Sequence, residues 1–463
     1  MWTEEIFAKA LGLRKPWIIT KIEFTKARDE AESNRGKVKR DAAKEKAAAK
    51  KQDTVSLEDE NRLLRSIMSG ESAGELHIYI DFEQGSKFPY PAGDSNSDEE
   101  TASDQQPMLG VYDVKAMKWR HLNFWQYRTY IHANVPRVGD KSHSPRLVSV
   151  PWARPQSGFT LLFEGFALAL AKGMSVSHAA DIVGENDTRI WRVIQHYVGK
   201  ARSVANYSEV TALGVDETSK KGHNYITIFA NLQTHKVLFV DNGKDQTTVD
   251  HFVTDFKAHQ GDGLKIAHVT ADMSLGFRTG IQNNFPNACM ITDKFHVVKH
   301  ANEAVDTVRK EESKENIALR GTKYFWLKNE ENLTEEQQIQ KQTLLKKHLK
   351  TGRACMMREE LQEIYTVSEN REEAEARMKK LCNWMIRSRL EPMKKLCRMI
   401  RNHMDSILNY FDKKLTNAIL EGLNNIIQHI KCRARGFRNS HYFSTMIYLV
   451  AGEIDIEAAL AHP

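Results

Sequence analysis

Two aspartates and a glutamate carry the chemistry that this sequence offers. Asp216 closes the first apolar run of "ALGVDETSKKGHNYITIFANL" (212–232), and Asp272 closes that of "IAHVTADMS" (266–274). Glu421 lies in "DKKLTNAILEGLNNIIQHIKC" (412–432), about 200° around a helix from Leu423. Strand ends of an open sheet can hold polar groups outside the core. Three acids without cysteine or histidine in ligand positions favour a hard cation with oxygen ligands, Mg²⁺ or Mn²⁺. Two such ions about 4 Å apart activate a water or a 3′-hydroxyl and stabilise the leaving oxygen of a phosphodiester. One aspartate can bridge both ions, and repulsion among the acids favours the cation. Each acid alone has a structural alternative: Asp272 as a turn or cap residue, Glu421 as a solvated helix position. Glu217 is read as structural, because neighbouring strand residues point to opposite faces.

Other polar residues could serve the same place. In "ITDKFHVVKH" Asp293 and His296 are three apart where a strand enters a helix, so both can face one side. They would order the metal site or contact DNA; a cap aspartate beside a half-buried histidine is the alternative. Asn424, with Asn425 and Gln428, continues the polar face of Glu421 towards Lys431 and Arg435. "HIKCRARGFRNSHYF" (429–443) interleaves Lys431, Arg433, Arg435 and Arg438 with Phe437, Tyr442 and Phe443. That pattern suits a grip on a phosphate backbone, whereas a solvated helix end capped by Gly436 explains the glycine but not the arginines.

These residues need elements to position them. Strands are expected at 212–217, 225–232 and 235–242, then a helix at 247–259, a strand at 264–272, a helix at 276–285 and a strand at 288–293. Three consecutive strands followed by helical crossovers into parallel strands is the order of a ribonuclease H-like mixed sheet. Residues 301–411 read as a charged helical domain anchored by Trp326 and Trp384. The core resumes at 412–463, where Leu415, Ile419, Leu423, Ile426 and Ile430 form an apolar stripe.

Upstream, the period is 3.6 across residues 157–202. It predicts helices ending near Gly173, spanning 175–183, and spanning 187–198, with a turn at Gly184 and cap chemistry from Asp187 and Thr188. Two short helices about such a turn match a helix-turn-helix, which would aim Asn186, Asp187, Arg189 and Arg192 at DNA; an ordinary helical hairpin is the alternative. Residues 151–206 form that domain. Residues 76–150 read as a small β domain with an exposed acidic loop, and residues 1–75 as a charged N-terminal segment. The whole is a multidomain α+β / α/β chain.

At 463 residues the chain exceeds one ordinary core. No apolar run is long enough for a membrane span, and the N-terminus lacks a signal-peptide pattern. Five scattered cysteines without a C-x-x-C pair argue for reduced thiols and against a disulfide scaffold. The expected location is therefore the cytoplasm. The net charge of +7 becomes informative only through the basic runs named above.

Four segments resemble the DDE transposases of one branch of bacterial insertion sequences: "GVDETSKKGHNYITIFANL", "ADMSLGF", "ITDKFHVVKHANEAV" and "TNAILEGLNNIIQHIKCRARGFRN". In that branch a zinc ribbon and a helix-turn-helix precede the catalytic core, and "WRHLNF" and "VPRVGDKSHSPRLVSVPWA" look like the ribbon region. The resemblance covers roughly residues 75–450. It implies a catalytic and metal-binding triad of Asp216, Asp272 and Glu421, with Asp293 and His296 as an accessory D-x-x-H element. It further implies binding of terminal inverted repeats, cleavage, and joining of 3′ ends to target DNA with Mg²⁺ or Mn²⁺ and no covalent intermediate. The residues before Glu421 would be the family's insertion domain. Partners would be double-stranded DNA, nucleoid-associated in a bacterium, and a second copy of the chain, since synapsis joins two ends. The ribbon cysteines are missing: "KFPYPAGDSN" stands where C-P-x-C-G is expected, Asp140 replaces another cysteine, and only His143 keeps a ligand type. No structural zinc is expected; Trp119, Phe124, Trp125 and Tyr127 would hold the β domain instead. An inactive, transposase-derived DNA-binding protein is the alternative function. A structure-specific nuclease is disfavoured by the helix-turn-helix and the insertion.

Overall fold

The computed structural model describes residues 2–26, 74–91, 107–221, 224–243, 245–273, 275–413 and 418–461. The chain divides into two compact units, Met1–Tyr197 with Ile456–Pro463, and Val198–Asp455. Most of the charged segment, the acidic serine-rich loop and Leu415 lie outside the described residues.

The first unit opens with helix α1 (Trp2–Ala10) and a six-stranded sheet. Its strands are β1 (Trp17–Lys26), β2 (Gly74–Phe82), β3 (Lys87–Pro89), β4 (Met108–Arg120), β5 (Tyr127–Val138) and β6 (Arg146–Leu147). The order is β1-β2-β5-β4-β3, with β6 on β5. β2 and β5 run parallel and the other pairs antiparallel. Alternation in β2 buries Leu76, Ile78 and Ile80, as a strand with one covered face must.

Two sequence expectations change here. Trp17–Lys26, placed with the charged N-terminal segment, is a full strand paired with β2. The aromatic core is Trp17, Trp119 and Trp152, with Trp152 edge-on to both others at 5.0 and 5.7 Å. Trp125 is 79% exposed and Phe124 and Tyr127 only line the rim. Where zinc ligands would have stood, the Asp140 carboxylate accepts from the backbone N–H groups of Ser142 and His143 and pairs with the His143 ring, 2.8 Å each.

Three helices follow: α2 (Leu161–Gly173), α3 (Val176–Val183) and α4 (Asp187–Ser203). Ser175 caps α3, and Gly184 ends it in the left-handed region at φ 67°. The cap of α4 is Asn186, not Asp187 or Thr188: its Oδ1 accepts from the Thr188 N–H at 3.0 Å. Glu164, fully buried, is answered by Arg154, Ser157 and Tyr197 at 3.0, 2.7 and 2.7 Å, which locks α2 to α4.

The second unit is built on a five-stranded sheet. β7 (Ala212–Lys221), β8 (Asn224–Asn231) and β9 (Lys236–Asn242) form an antiparallel meander. Helix α5 (Gln246–Ala258) leads to β10 (His268–Ala271), and α6 (Leu275–Asn284) to β11 (Cys289–Thr292); β10 runs parallel to both β7 and β11. This is the ribonuclease H-like order anticipated from the sequence. Leu213 and Val215 of β7 face a core with Phe229, Leu238, Phe252 and Phe256.

The helical domain starts without a break from α7 (Lys294–Glu312) and continues through α8 (Lys323–Leu327), α9 (Glu335–Leu345), α10 (Lys350–Val367), α11 (Arg371–Arg387), α12 (Glu391–Asn402) and α13 (Met404–Lys413). Trp326 is buried in its core, but Trp384 is 39% exposed and is not part of that core. Then come α14 (Ala418–Arg433) and α15 (Ser440–Ala451), with α16 (Ile456–Ala461) ending the described chain. The buried stripe of α14 is Leu420, Leu423, Ile427 and Ile430, whereas Ile426 is 40% exposed.

If Trp17 ties β1 into the sheet, Trp17→Ala should destabilise the first unit by about 3 kcal/mol. Denaturant unfolding followed by tryptophan fluorescence measures this; a loss of a few tenths would make β1 an ornament.

Candidate active site

β7 is built with two faces. While Leu213 and Val215 point into the core, Gly214, Asp216 and Thr218 alternate to the other face. Gly214 is needed there: a Cβ would stand 2.8 Å from Leu232 and 2.9 Å from Leu420. Its absence lets Leu420 of α14 lie against the strand. Polar side chains of α14 then stitch along β7. Asn424 Nδ2 donates to Asp216 Oδ2 at 2.6 Å, Gln428 Nε2 to Thr218 Oγ1 at 2.8 Å, and Lys431 Nζ to the Ser219 carbonyl at 2.8 Å. Glu421 lies one turn before Asn424, on the same side of the helix.

Asp216 sits within β7 rather than at its end, because the strand continues to Lys221 as part of the meander. The parallel pairing stops earlier. β10 pairs His268 with Ala212 and Thr270 with Gly214, and Asp272 follows directly after the strand ends at Ala271. Asp293 ends the next strand, caps α7 by accepting from the Phe295 N–H at 3.0 Å, and is buried.

His296 stands among these acids. Its Nε2 is 3.8 Å from Asp216 Oδ1 and 3.9 Å from Asp293 Oδ2, and its Nδ1 is 3.5 Å from Asp272 Oδ1. Burial alone would lower its pKa, but the Asp216 carboxylate beside it and the charges of Asp272 and Asp293 raise it. Burial also pushes Asp293 up, helped by repulsion from Asp216 and Glu421 and opposed by the Phe295 N–H and by His296. Asp293 therefore senses Asp216 and Glu421, and a proton on His296 would face all three aspartates.

The structure thus brings together Asp216, Asp272, Asp293, His296 and Asn424, with Glu421 at the edge and exposed. Among the described residues, no group of three or more His, Cys, Asp or Glu side chains is already arranged to hold a metal ion.

The basic residues divide. Arg189 is held by Glu185 and lies 4.2 Å over the Phe159 ring, so its guanidinium braces the turn, whereas Arg192 is exposed on α4. Arg120, unnoticed in the sequence, is buried and donates to the Val183 carbonyl at 3.3 Å, joining β4 to the end of α3. Lys431, Arg435 and Arg438 line a groove together, and half-buried Arg433 is not among its lining residues.

Residues 213–447 match the family model of the ISL3-type DDE transposases, described as "Transposase". Residues 148–198 match that of the "Helix-turn-helix domain of transposase family ISL3". The chain belongs to the ISL3 transposase family. It is similar to the transposase for insertion sequence element IS1557 of Mycobacterium tuberculosis, 26% identical over 357 residues that cover 70% of this chain and 78% of that protein. The transposase for insertion sequence element IS1001 of Bordetella parapertussis is 24% identical over 354 residues, covering 72% of this chain and 84% of its own. No helix among the described residues is long and apolar enough to cross a membrane.

The charge balance at His296 can be read directly. In metal-free protein its ring should titrate above 6.5, the ordinary value, and Asp216→Asn should bring the pKa down, because the largest raising contact is lost and burial remains. Histidine ring resonances followed by NMR against pH test this; an unchanged His296 would mean that Asp216 does not face it.

Proposed function

We propose that this transposase binds terminal inverted repeats through its helix-turn-helix, and that Asp216, Asp272 and Glu421 catalyse metal-dependent cleavage and joining of the DNA ends. The observation that supports this is the His296 ring, 3.8 Å from Asp216 and 3.5 Å from Asp272, together with the Asn424 bond that holds α14 to Asp216 one turn after Glu421.

The residues fit a hard divalent cation. They offer carboxylate oxygens from three elements, and the Asn424 Oδ1 is buried beside Asp216 without a hydrogen-bond partner among the described residues. Asp216, Asp272 and Glu421 would hold Mg²⁺ or Mn²⁺, two ions in our reading. When bound, the cation stabilises charge on the attacking and leaving oxygens of the phosphodiester.

The chain's own groups have distinct parts. Asn424 fixes the Asp216 carboxylate through Nδ2, leaving Oδ1 to face His296. His296 places one ring nitrogen towards Asp272 and the other towards Asp216 and Asp293, so its protonated form is answered on both sides. When protonated, the ring would draw the three aspartates together before DNA arrives. Arg192 on α4 would meet DNA, while Arg189 keeps the turn in shape. A second copy of the chain would bring the other element end.

The experiment is a cleavage and joining assay with Mg²⁺ and labelled DNA carrying the element's own terminal repeat. Wild type should cut and join, and Asp272→Asn should lose at least about 100-fold in rate while still shifting the repeat. Binding without cutting by wild type would favour the inactive, repressor-like alternative. Equal cutting by both proteins would remove Asp272 from the site and turn attention to Asp293.

A further inference from the structure

A groove of about 650 Å³ lies where the end of α14 meets the end of β7. Its chemistry is one-sided. Lys220, Lys431, Arg435 and Arg438 line it together with Cys432 and Phe437, and no Asp or Glu is among the described residues that do so.

The groove is built rather than incidental. Lys431 is pinned by the Ser219 carbonyl at 2.8 Å, and Lys220 reaches the Ser440 hydroxyl at the start of α15. Beyond α14 the chain reverses through Arg435 and Gly436, at φ 53° and 94°, and the Gly436 N–H returns to the Lys431 carbonyl at 2.9 Å. A residue other than glycine at positive φ is uncommon, so Arg435 is held in place against its preference. The reversal folds Phe437 onto Phe443, ring centroids 4.9 Å apart, and leaves Arg435 and Arg438 exposed.

Its position relates it to the carboxylates. Lys431 follows Glu421 by ten residues on the same helix, about 15 Å along it at 1.5 Å per residue. That is the span of a few nucleotides of a DNA strand. A concave, cation-lined surface at that remove fits a phosphodiester backbone whose other end reaches the acids.

We propose that this groove is a phosphate-binding track that grips the DNA backbone of the element end a few nucleotides from the scissile phosphate. The proposal rests on the transposase reading above and adds Lys220 to the DNA-contacting residues. It also places Cys432 within reach of the bound strand: of the five cysteines three are buried, Cys289 is half-buried, and Cys432 is exposed.

Cys432 supplies the test. Terminal-repeat DNA is made with a disulfide-capped thiol tether on single phosphates, two to six nucleotides from the cleavage position on each strand, and a parallel set is made on target DNA. Attack by the Cys432 thiolate forms a protein–DNA disulfide and releases the capping thiol. The expected result is a narrow run of element-end positions that crosslink to the full-length protein at least about tenfold faster than the same tether on unrelated DNA, as a short tether at a bound site provides. Cys432→Ser should abolish those crosslinks. Arg435→Gln with Arg438→Gln should slow them and lower the salt dependence of binding by about one phosphate contact each.

If wild type shifts the repeat yet crosslinks equally slowly everywhere, or no faster than Cys432→Ser, the groove does not hold DNA. Crosslinking confined to target DNA would overturn its assignment to the element end. A chain that never shifts the repeat would instead contradict the transposase reading, and the proposal with it.

Discussion

The site depends on one electrostatic problem, which is the meeting of several carboxylates around Asp216. Like charges brought this close raise one another's pKa and push their elements apart unless something answers them. Here the answers are His296, with both ring nitrogens turned to aspartates, and Asn424, whose amide holds Asp216 at 2.6 Å. Around this the sheet must present β7 and β10 in parallel, α7 must begin at Asp293, and α14 must lie flat on β7. Gly214 permits the last of these, because any side chain there would meet Leu420. Active sites often keep such unrelieved charge, since it gives a cation or a charged substrate something to bind.

The arrangement gives the helical domain a positional meaning. It is inserted between α7, which carries His296, and α14, which carries Glu421, and its buried core runs from Val297 through Trp326 and Leu361 to Phe411. One continuous core thus begins a single residue beyond His296. The carboxylates come from both sides of this insertion, so the spacing of the acids along the chain says little about their spacing in the fold.

Much of this was legible in the sequence, for identifiable reasons. The meander and its crossovers showed themselves through β-branched and aromatic runs with turn residues between them, whereas the strand end expected at Asp216 falls in mid-strand because the meander carries β7 on to Lys221. What failed was phase and partnership. The paired apolar residues Ile419–Leu420 and Ile426–Ile427 allow two stripes one residue apart, and only contact with β7 selects Leu420 and Ile427. Strand β1 went unnoticed because its partner β2 lies beyond a long charged stretch, and pairing at that distance leaves no local pattern. Trp125 and Trp384 show that an aromatic residue does not announce its own burial. The groove joins β7 to residues more than two hundred positions later, which no reading along the chain could assemble.

The most direct test of the account is Mn²⁺ binding to the purified full-length protein, followed by electron paramagnetic resonance, for wild type and Glu421→Gln. Glu421 is exposed, so the substitution should leave folding unchanged, and circular dichroism checks this. If Asp216, Asp272 and Glu421 form one site, Glu421→Gln should weaken Mn²⁺ binding at least about tenfold, on the scale of losing a group that supports a metal. Equal binding by both proteins would show that α14 does not contribute to the metal site, and the assignment of the triad would fail.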